Sequence, residues 1–363
     1  MIRIGLSCNS IQSDFTHEKL DGIGMYTKYL HDELIKRGEI IIPCSFASRD
    51  LPLPYLQSTL VSLLTPINLY STLENNIDLY HSTDHQVPKL KKTPVIATLH
   101  DATMLKHPEW YHARCRTLKN KLRIKTMEWA DHFITISNTM VTELVEYWKI
   151  PAEKISVIYN GISESWFEEK SPEQKQEVLK KLNLPDKFLL FNGTLQPKKN
   201  VPRLIQAFLS LPDDIQQEYP LVIVGKPGWE INESIAAIQE LTTKKRGFWL
   251  NYISTDHLQV LFQCAALYVY PSLHEGFGLT LIEAFASKTP VITSNITAMP
   301  ETAHNAAYLV DPYSVSEITE AIKTVLLNQS LQDELIQKGT HRARDFSWQK
   351  CAEETVKVYQ KIV

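Results

Sequence analysis

Short segments that are apolar at every position recur along this chain, and longer amphipathic stretches separate them. Leu221-Val222-Ile223-Val224 is the plainest example. A strand with one wet face alternates apolar and polar residues. A strand apolar throughout belongs to a sheet covered on both faces, which points to a parallel sheet between layers of helices. The first half of the chain predicts strands at 2–8, 77–81, 94–99, 132–137 and 155–159, with helices at 25–37 and 138–147. Gly38 closes the first of these helices, in the left-handed position that ends many helices.

The pattern then starts afresh. Strands are predicted at 187–191, 221–224, 267–270 and 291–294, and helices at 201–209, 279–287 and 315–327. Residues 164–181, rich in Glu and Lys and poor in large apolar side chains, read as the connection between two domains. A last helix over 348–361 follows a break at Asp345-Phe346-Ser347. At roughly 100–200 residues per domain, the length suits two domains. The expected fold is α/β, with two Rossmann-like domains facing a cleft, one over 1–165 and the other over 182–347.

A formal net charge of −3 gives no global pull toward nucleic acid. The cysteines (Cys8, Cys44, Cys115, Cys264, Cys351) are scattered and form no C-x-x-C pair, so neither a zinc site nor a disulfide framework is expected. A reducing cytoplasm is the simplest compartment. The run from Met1 to Leu6 enters a strand directly, without a leader pattern. No apolar run approaches the roughly 18–20 residues that span a bilayer.

Ligands of open α/β sheets sit beyond the carboxyl ends of the strands. Gly22–Gly24, His100-Asp101, 193–199 and 275–278 all fall in such places. The densest of them is the run from Glu275 through Gly276, Phe277, Gly278 and Leu279 to Glu283. A carboxylate accepts hydrogen bonds from sugar hydroxyls. Glycines let a ligand approach the backbone, and a helix N-terminus near Leu279 offers unpaired N–H groups to an anion. Glu283 falls about one turn into that helix, placed to accept from ribose hydroxyls. Taken alone, Glu283 reads equally well as a favourable early-helix acid. Together these features suggest a nucleotide-sugar site.

In 193–200, Thr194, Lys198 and Lys199 follow a strand and precede a helix. Either lysine can meet a diphosphate as a point charge, or both are solvated loop residues. Gly22 and Gly24 stand at the head of the first strong helix and would admit a phosphate or an acceptor. They do not make a dinucleotide fingerprint, because the third glycine position is Thr27 and the preceding strand is distant. His100, at the end of a strand, can bond a sugar hydroxyl or steady charge in the transition state. The alternative is a loop histidine satisfied by its neighbours. His81, Asp84, His85, His100 and Asp101 suggest a metal cluster, and His81 and His85 have a spacing seen in ligands, but they follow a strand rather than sit within a helix. Their spacing does not place them on one face, and no metal is expected. Neither D-x-D nor a P-loop sequence occurs. Arg114, Arg116, Lys119, Lys121, Arg123 and Lys125 form a basic stretch with no acid before Glu128. Such a stretch is either a solvated helix face or a contact with an anionic membrane.

With the Glu275–Glu283 run in place, the chain resembles the retaining glycosyltransferases of family 4, which have the GT-B fold. The match extends through Leu221–Gly225, Tyr270-Pro271-Ser272, Thr289–Ile292, Met299-Pro300-Glu301, Gly22–Tyr26, Ala130-Asp131, Ile136-Ser137 and Asn160-Gly161. Its Gly193–Asn200 run reads most like that of bacterial O-antigen mannosyltransferases. The resemblance implies a hexosyltransferase of polysaccharide or lipopolysaccharide synthesis, with an acceptor-binding first domain and a donor-binding second domain. Residues 348–363 would cross back to the first domain. It implies that Glu275 and the backbone of Gly276, Phe277, Gly278 and Leu279 hold the donor sugar and distal phosphate. Glu283 would take ribose and Lys199 the diphosphate, with Gly24 near the phosphates and His100 near the donor sugar. Catalysis would need no metal and no cofactor beyond the donor, for which GDP-mannose is favoured. The partners would be this donor and a glycan or lipid-linked acceptor, in the cytoplasm or at the inner face of its membrane.

Two departures stand out. Thr194 occupies a position where the family often has arginine, and Lys198 or Arg203 would have to replace it. Lys288 stands where glycine usually follows the helix. The rival readings are a glycoside hydrolase using both carboxylates, a sugar-nucleotide epimerase, and a non-catalytic nucleotide-sugar-binding protein.

Overall fold

The computed structural model describes residues 2–11, 20–46, 53–111 and 116–363, with the backbone alone for 116–119. The chain divides into two compact units. The first comprises 1–108, 113–161 and 347–363, and the second comprises 109–112 and 162–346.

In the first unit, β1 (Arg3–Ser7), β2 (Ile40–Cys44), β3 (Leu79–Ser82), β4 (Val95–Leu99), β5 (His132–Thr135) and β6 (Ile155–Val157) form one parallel sheet in the order β2-β1-β3-β4-β5-β6. Its longer helices are α1 (Gly22–Lys36), α2 (Tyr55–Leu64), α3 (Arg116–Thr126) and α4 (Asn138–Tyr147). Strands β3, β4 and β5 are buried at every position, including the polar side chains of His81, Ser82, Thr98, His132 and Thr135. Helix α1 starts where the Asp21 carboxylate accepts from the Gly24 N–H at 2.9 Å, an N-cap that leaves the glycines free to enter the first turn. Gly38, at φ +83°, follows its end.

The second unit repeats the plan. Strands β7 (Leu189–Asn192), β8 (Leu221–Val224), β9 (Gly247–Leu250), β10 (Leu267–Tyr270), β11 (Val291–Ser294) and β12 (Tyr308–Val310) run parallel in the order β12-β11-β10-β7-β8-β9. Around them lie α5 (Pro172–Lys181), α6 (Val201–Leu209), α7 (Asn232–Thr243), α8 (Thr255–Cys264), α9 (Leu279–Ala286), α10 (Val315–Leu326) and α11 (Gln329–Ala343). The chain leaves β7 toward β8 and β9, then returns to place β10 on the other side of β7. The switch point lies between β7 and β10, where doubly wound sheets bind ligands. The loops that leave these two strands carry Lys198, Lys199 and Glu275.

The segment expected to connect two domains is instead part of the second unit. Ser171 and Gln174 form a capping box at the head of α5, and Val178 and Leu179 are buried. Gln263 of α8 donates to the Glu168 carbonyl at 2.8 Å and accepts from the Lys170 N–H at 3.0 Å. A helix needs few apolar residues to cover one neighbour, so Glu and Lys content misread it as a linker. The chain passes between units beside Gly161. A Cβ there would stand 2.0 Å from the Trp348 nitrogen. The last helix, α12 (Trp348–Ile362), returns to the first unit. There Trp348 stacks on Tyr29 with ring centroids 5.1 Å apart, and the Tyr359 hydroxyl meets His81 Nδ1 at 2.6 Å. Among the described residues no helix is long and apolar enough to cross a membrane.

Candidate functional site

The loops after β7 and β10 are laced together. Asn200 sits at φ +60°, a left-handed conformation that asparagine tolerates. Its amide donates to the carbonyls of Pro271 at 2.9 Å and Pro312 at 2.7 Å. The Leu273 N–H donates to the Lys198 carbonyl at 2.7 Å, and the Ser272 hydroxyl oxygen lies 2.8 Å from the same carbonyl. This frame brings the side chains of Lys199 and Glu275 together.

Glu275 is buried, and its Oε1 receives three donors: Lys199 Nζ at 2.6 Å, Ser272 Oγ at 2.7 Å and the Tyr270 hydroxyl at 2.8 Å. Lys199 Nζ also donates to the Tyr270 hydroxyl. Burial alone works to raise the Glu275 pKa. The charges of Lys199 and Lys198, with the bonds from Lys199 and Ser272, outweigh it and hold the carboxyl at about 2. Burial, followed by the neighbouring Glu275 charge, raises the Tyr270 phenol well above its usual value, so it stays protonated and donating.

Gly278, at φ +95°, is the N-cap of α9. The left-handed backbone demands glycine, while the nearest neighbour of a Cβ there, Met299 Cε at 2.6 Å, is the tip of a flexible side chain. The following N–H groups of Leu279 and Thr280 open the helix and, like those at any helix start, have no partner within the helix. One turn on, the partly buried Glu283 has no hydrogen-bond or ion-pair partner among the described residues, and burial pushes it up to about 7. The two carboxylates of the run are thus shifted in opposite directions, one by charge pairing and the other by burial.

Thr194 is partly buried and Lys198 lies close enough to depress Glu275. Arg203 is engaged elsewhere. Its Nη1 donates to Asn200 Oδ1 at 2.6 Å, and its guanidinium lies 5.5 Å from the Tyr313 ring centroid. Lys288 adopts φ +60°, the conformation glycine would favour.

Gly24 and His100 belong to the first unit. The Gly24 N–H is taken by Asp21, and a Cβ there would stand 2.8 Å from the Ser10 carbonyl oxygen. Local packing therefore suffices to require this glycine. His100 packs edge-on to Tyr26 with ring centroids 4.8 Å apart. Its Nε2 bonds the Thr83 carbonyl at 2.9 Å. A carbonyl only accepts, so Nε2 carries the hydrogen. Burial lowers the pKa against the opposing effects of Thr83 and Asp101. The ring is neutral at pH 7 and presents Nδ1 as an acceptor. In this form it accepts from a hydroxyl and offers no donor to a developing anion at that atom.

The other titratable groups near His100 have structural partners. His81 bonds Tyr359 through Nδ1 and the Thr98 hydroxyl through Nε2, at 2.6 and 2.8 Å. Asp84 accepts from the Gln86 N–H at 2.7 Å. No group of three or more potential ligands converges among the described residues. Of the basic stretch, Arg114 lies outside the described residues, and for Arg116 and Lys119 only the backbone of α3 is described. Lys125 pairs with Glu128 at 2.6 Å. Sequence reasoning from the residues alone did not find Tyr270 and Ser272 as partners of Glu275, or Asn200 as the tie between the loops. The short Tyr270–Ser272–Glu275 spacing is the one signal that points to the first two.

Comparison with known proteins identifies the family and the fold. The family model for glycosyl transferases group 1 matches residues 172–342, and that for glycosyltransferase family 4 matches 20–166. The chain is 30% identical over 285 residues to the O-antigen chain mannosyltransferase B of Escherichia coli, covering 78% of this chain and 74% of that one. It is 29% identical over 244 residues to the serotype-specific mannosyltransferase WbdA of Escherichia coli, covering 66% of this chain but only 30% of that longer protein. Among solved structures, Anabaena HepE in complex with UDP-glucose superposes with a TM-score of 0.75 at 14% identity, covering 99% of this chain and 100% of that one. The chain belongs to the family 4 glycosyltransferases and has their GT-B fold.

Proposed function

We propose that this glycosyltransferase moves a mannosyl unit from a nucleotide diphosphate sugar, with GDP-mannose favoured, to a glycan or lipid-linked acceptor with retention at the anomeric carbon. The observation that carries the reading is the Lys199–Glu275 pair, held between the carboxyl ends of β7 and β10 and followed directly by the head of α9. Identity to an O-antigen mannosyltransferase favours mannose as the sugar.

In this reading the distal phosphate sits on the N–H groups at the head of α9. Lys199 and Lys198 stabilise the charge that develops as the diphosphate departs. Lys198 fills the role of the arginine absent at Thr194, because Arg203 is held by Asn200 and Tyr313. Glu283, unpartnered and half-withdrawn from water, accepts from the ribose hydroxyls. Glu275 orients the donor and the lysine. Its Oε1 is saturated by three donors, which makes it a poor nucleophile and weighs against the hydrolase reading. On the first unit, His100 Nδ1 accepts from a sugar hydroxyl. The bond from the anomeric carbon to the phosphate oxygen breaks, and the acceptor oxygen bonds that carbon on the same face. The acceptor proton passes to the departing phosphate. The scheme draws on lysines and N–H groups for the diphosphate and calls for neither a metal nor a resident cofactor. A lipid-linked acceptor would bring the enzyme to a membrane surface, where the 114–125 stretch would meet anionic lipid.

The test is nucleotide release from a panel of GDP- and UDP-sugars, with and without acceptor glycans. GDP-mannose turnover that depends on acceptor is expected. Turnover of donor without acceptor would favour an epimerase or hydrolase, and binding without turnover would favour a non-catalytic protein.

A further inference from the structure

Helix α2 is built inside out. It buries Ser58, Thr59 and Ser62 and presents Leu56, Leu60 and Leu64, which are 45%, 42% and 80% exposed. Spacing by four places the three leucines in one row along the helix. Ile67, 60% exposed, extends the row beyond the helix end. A helix that faces water normally turns its apolar stripe inward. Large apolar side chains lined up this way form a patch, which single exposed leucines do not.

The rim of the row is positively charged. Lys89, Lys91 and Lys92 are exposed, and none pairs with a carboxylate among the described residues. Lys89 Nζ donates to the Ser62 carbonyl at 3.2 Å, and Lys91 Nζ to the Pro66 carbonyl at 2.6 Å, which fixes two ammonium groups beside the C-terminal end of α2. Glu74, the nearby acid, is buried, and its carboxylate accepts from the N–H groups of Lys91 and Lys92 and from the Asn68 amide. At the other end of α2, the Tyr55 hydroxyl meets Thr126 Oγ1 at 2.9 Å, at the end of the basic helix α3.

We propose that this row docks the first unit on an anionic phospholipid bilayer, with the leucines at the acyl boundary and the lysines among the headgroup phosphates. A second copy of the chain is a poorer occupant, because pairing two such rows would bring like lysine rims together. The residues of this surface are not those of the 114–125 stretch, and the proposal holds whichever donor the enzyme uses.

Vesicle co-sedimentation tests it, using phosphatidylcholine alone and phosphatidylcholine with phosphatidylglycerol. The full-length protein is expected to bind the anionic vesicles. Leu60→Asp with Leu64→Asp should weaken that binding roughly tenfold or more. Lys89→Gln, Lys91→Gln and Lys92→Gln together should weaken binding to anionic vesicles and reduce its salt sensitivity. Leu64→Gln alone, at the most exposed position, gives a milder variant whose folding is not in question. Transfer to a soluble acceptor without vesicles should be unchanged in every variant, which separates this proposal from the reading of the reaction. Absence of vesicle binding by the unmodified protein, or equal binding by the leucine variants, overturns the proposal. So does a dimer that the leucine substitutions dissociate while vesicle binding stays the same.

Discussion

Lys199 Nζ and Glu275 Oε1 lie 2.6 Å apart, each largely withdrawn from water, on loops that leave neighbouring strands of one sheet. The carboxylate holds the ammonium in place, so in the proposed reading the pair would set up the diphosphate site before any donor arrives. Removing one partner strands the other. Lys199→Ala should cost roughly 3–5 kcal/mol of stability, read from urea unfolding, because an unpaired carboxylate stays buried. Adding Glu275→Gln to that variant should recover most of the stability but none of the transfer rate. Recovery of both would mean that the pair serves the fold alone.

The strands around this pair were legible because they are apolar throughout, as in Leu221–Val224 and Leu267–Tyr270. Strand β2 was not, since it is an exposed edge strand interrupted by Pro43. Strand β9 is only half-buried along its length and begins at a glycine, so its apolar run shrinks to Phe248-Trp249-Leu250, too short to stand out. At the site, the glycines and acids of 275–283 declare themselves by spacing. The convergence of Tyr270, Ser272 and Lys199 on one oxygen does not, because it depends on how two loops fold over each other. The protonated nitrogen of His100 is likewise set by a backbone carbonyl, that of Thr83, which no motif records.

Gly161 lies where the chain leaves the first unit, against the residues by which it returns. A Cβ would stand 2.0 Å from the Trp348 nitrogen and 2.3 Å from the Ser347 carbonyl carbon. Backbone atoms cannot rotate aside as a side-chain tip can. Gly161→Ala should therefore displace the head of α12, with a loss on the order of 3 kcal/mol. Thermal unfolding should show the loss, and limited proteolysis should show new cleavage near 344–347. An unchanged melting temperature would contradict this packing.

The opposite shifts of Glu275 and Glu283 give opposite pH dependences. Glu275 is depressed to about 2, so its contribution is fully present above its unfolded pKa and is lost as pH falls from there through about 2. Glu283 is raised to about 7, so the folded state favours its protonated form. Stability from this group is fully present below its unfolded pKa and declines as pH rises through about 7. Glu283→Gln should consequently leave stability nearly unchanged in acid and raise it above neutrality, as measured by melting temperature across pH. If Glu283 accepts from ribose hydroxyls as proposed, they favour its ionised form, and nucleotide affinity should increase as pH rises through that same region. The substitution should abolish this rise in calorimetric titrations with GDP. A rise that persists in the variant would assign it to another group.

Lys198 and Arg203 can be told apart as substitutes for the arginine absent at Thr194. Lys198 lies within electrostatic reach of Glu275, whereas Arg203 is bonded to Asn200 and packed on Tyr313. A charge-assisted bond to a phosphate oxygen is worth roughly 1.5–3 kcal/mol. Lys198→Gln should thus lower kcat/KM for the donor by about ten- to a hundredfold with little change in unfolding. Arg203→Gln should act the other way. It frees Asn200, which ties the 193–200 loop to Pro271 and Pro312, so stability should fall while the charge offered to the diphosphate is kept. Thr194→Arg in the Lys198→Gln background completes the comparison, since an arginine restored at that position should recover donor affinity if the two cations serve one phosphate. Failure of that rescue, with Arg203→Gln as the variant that loses donor binding, would reverse the assignment.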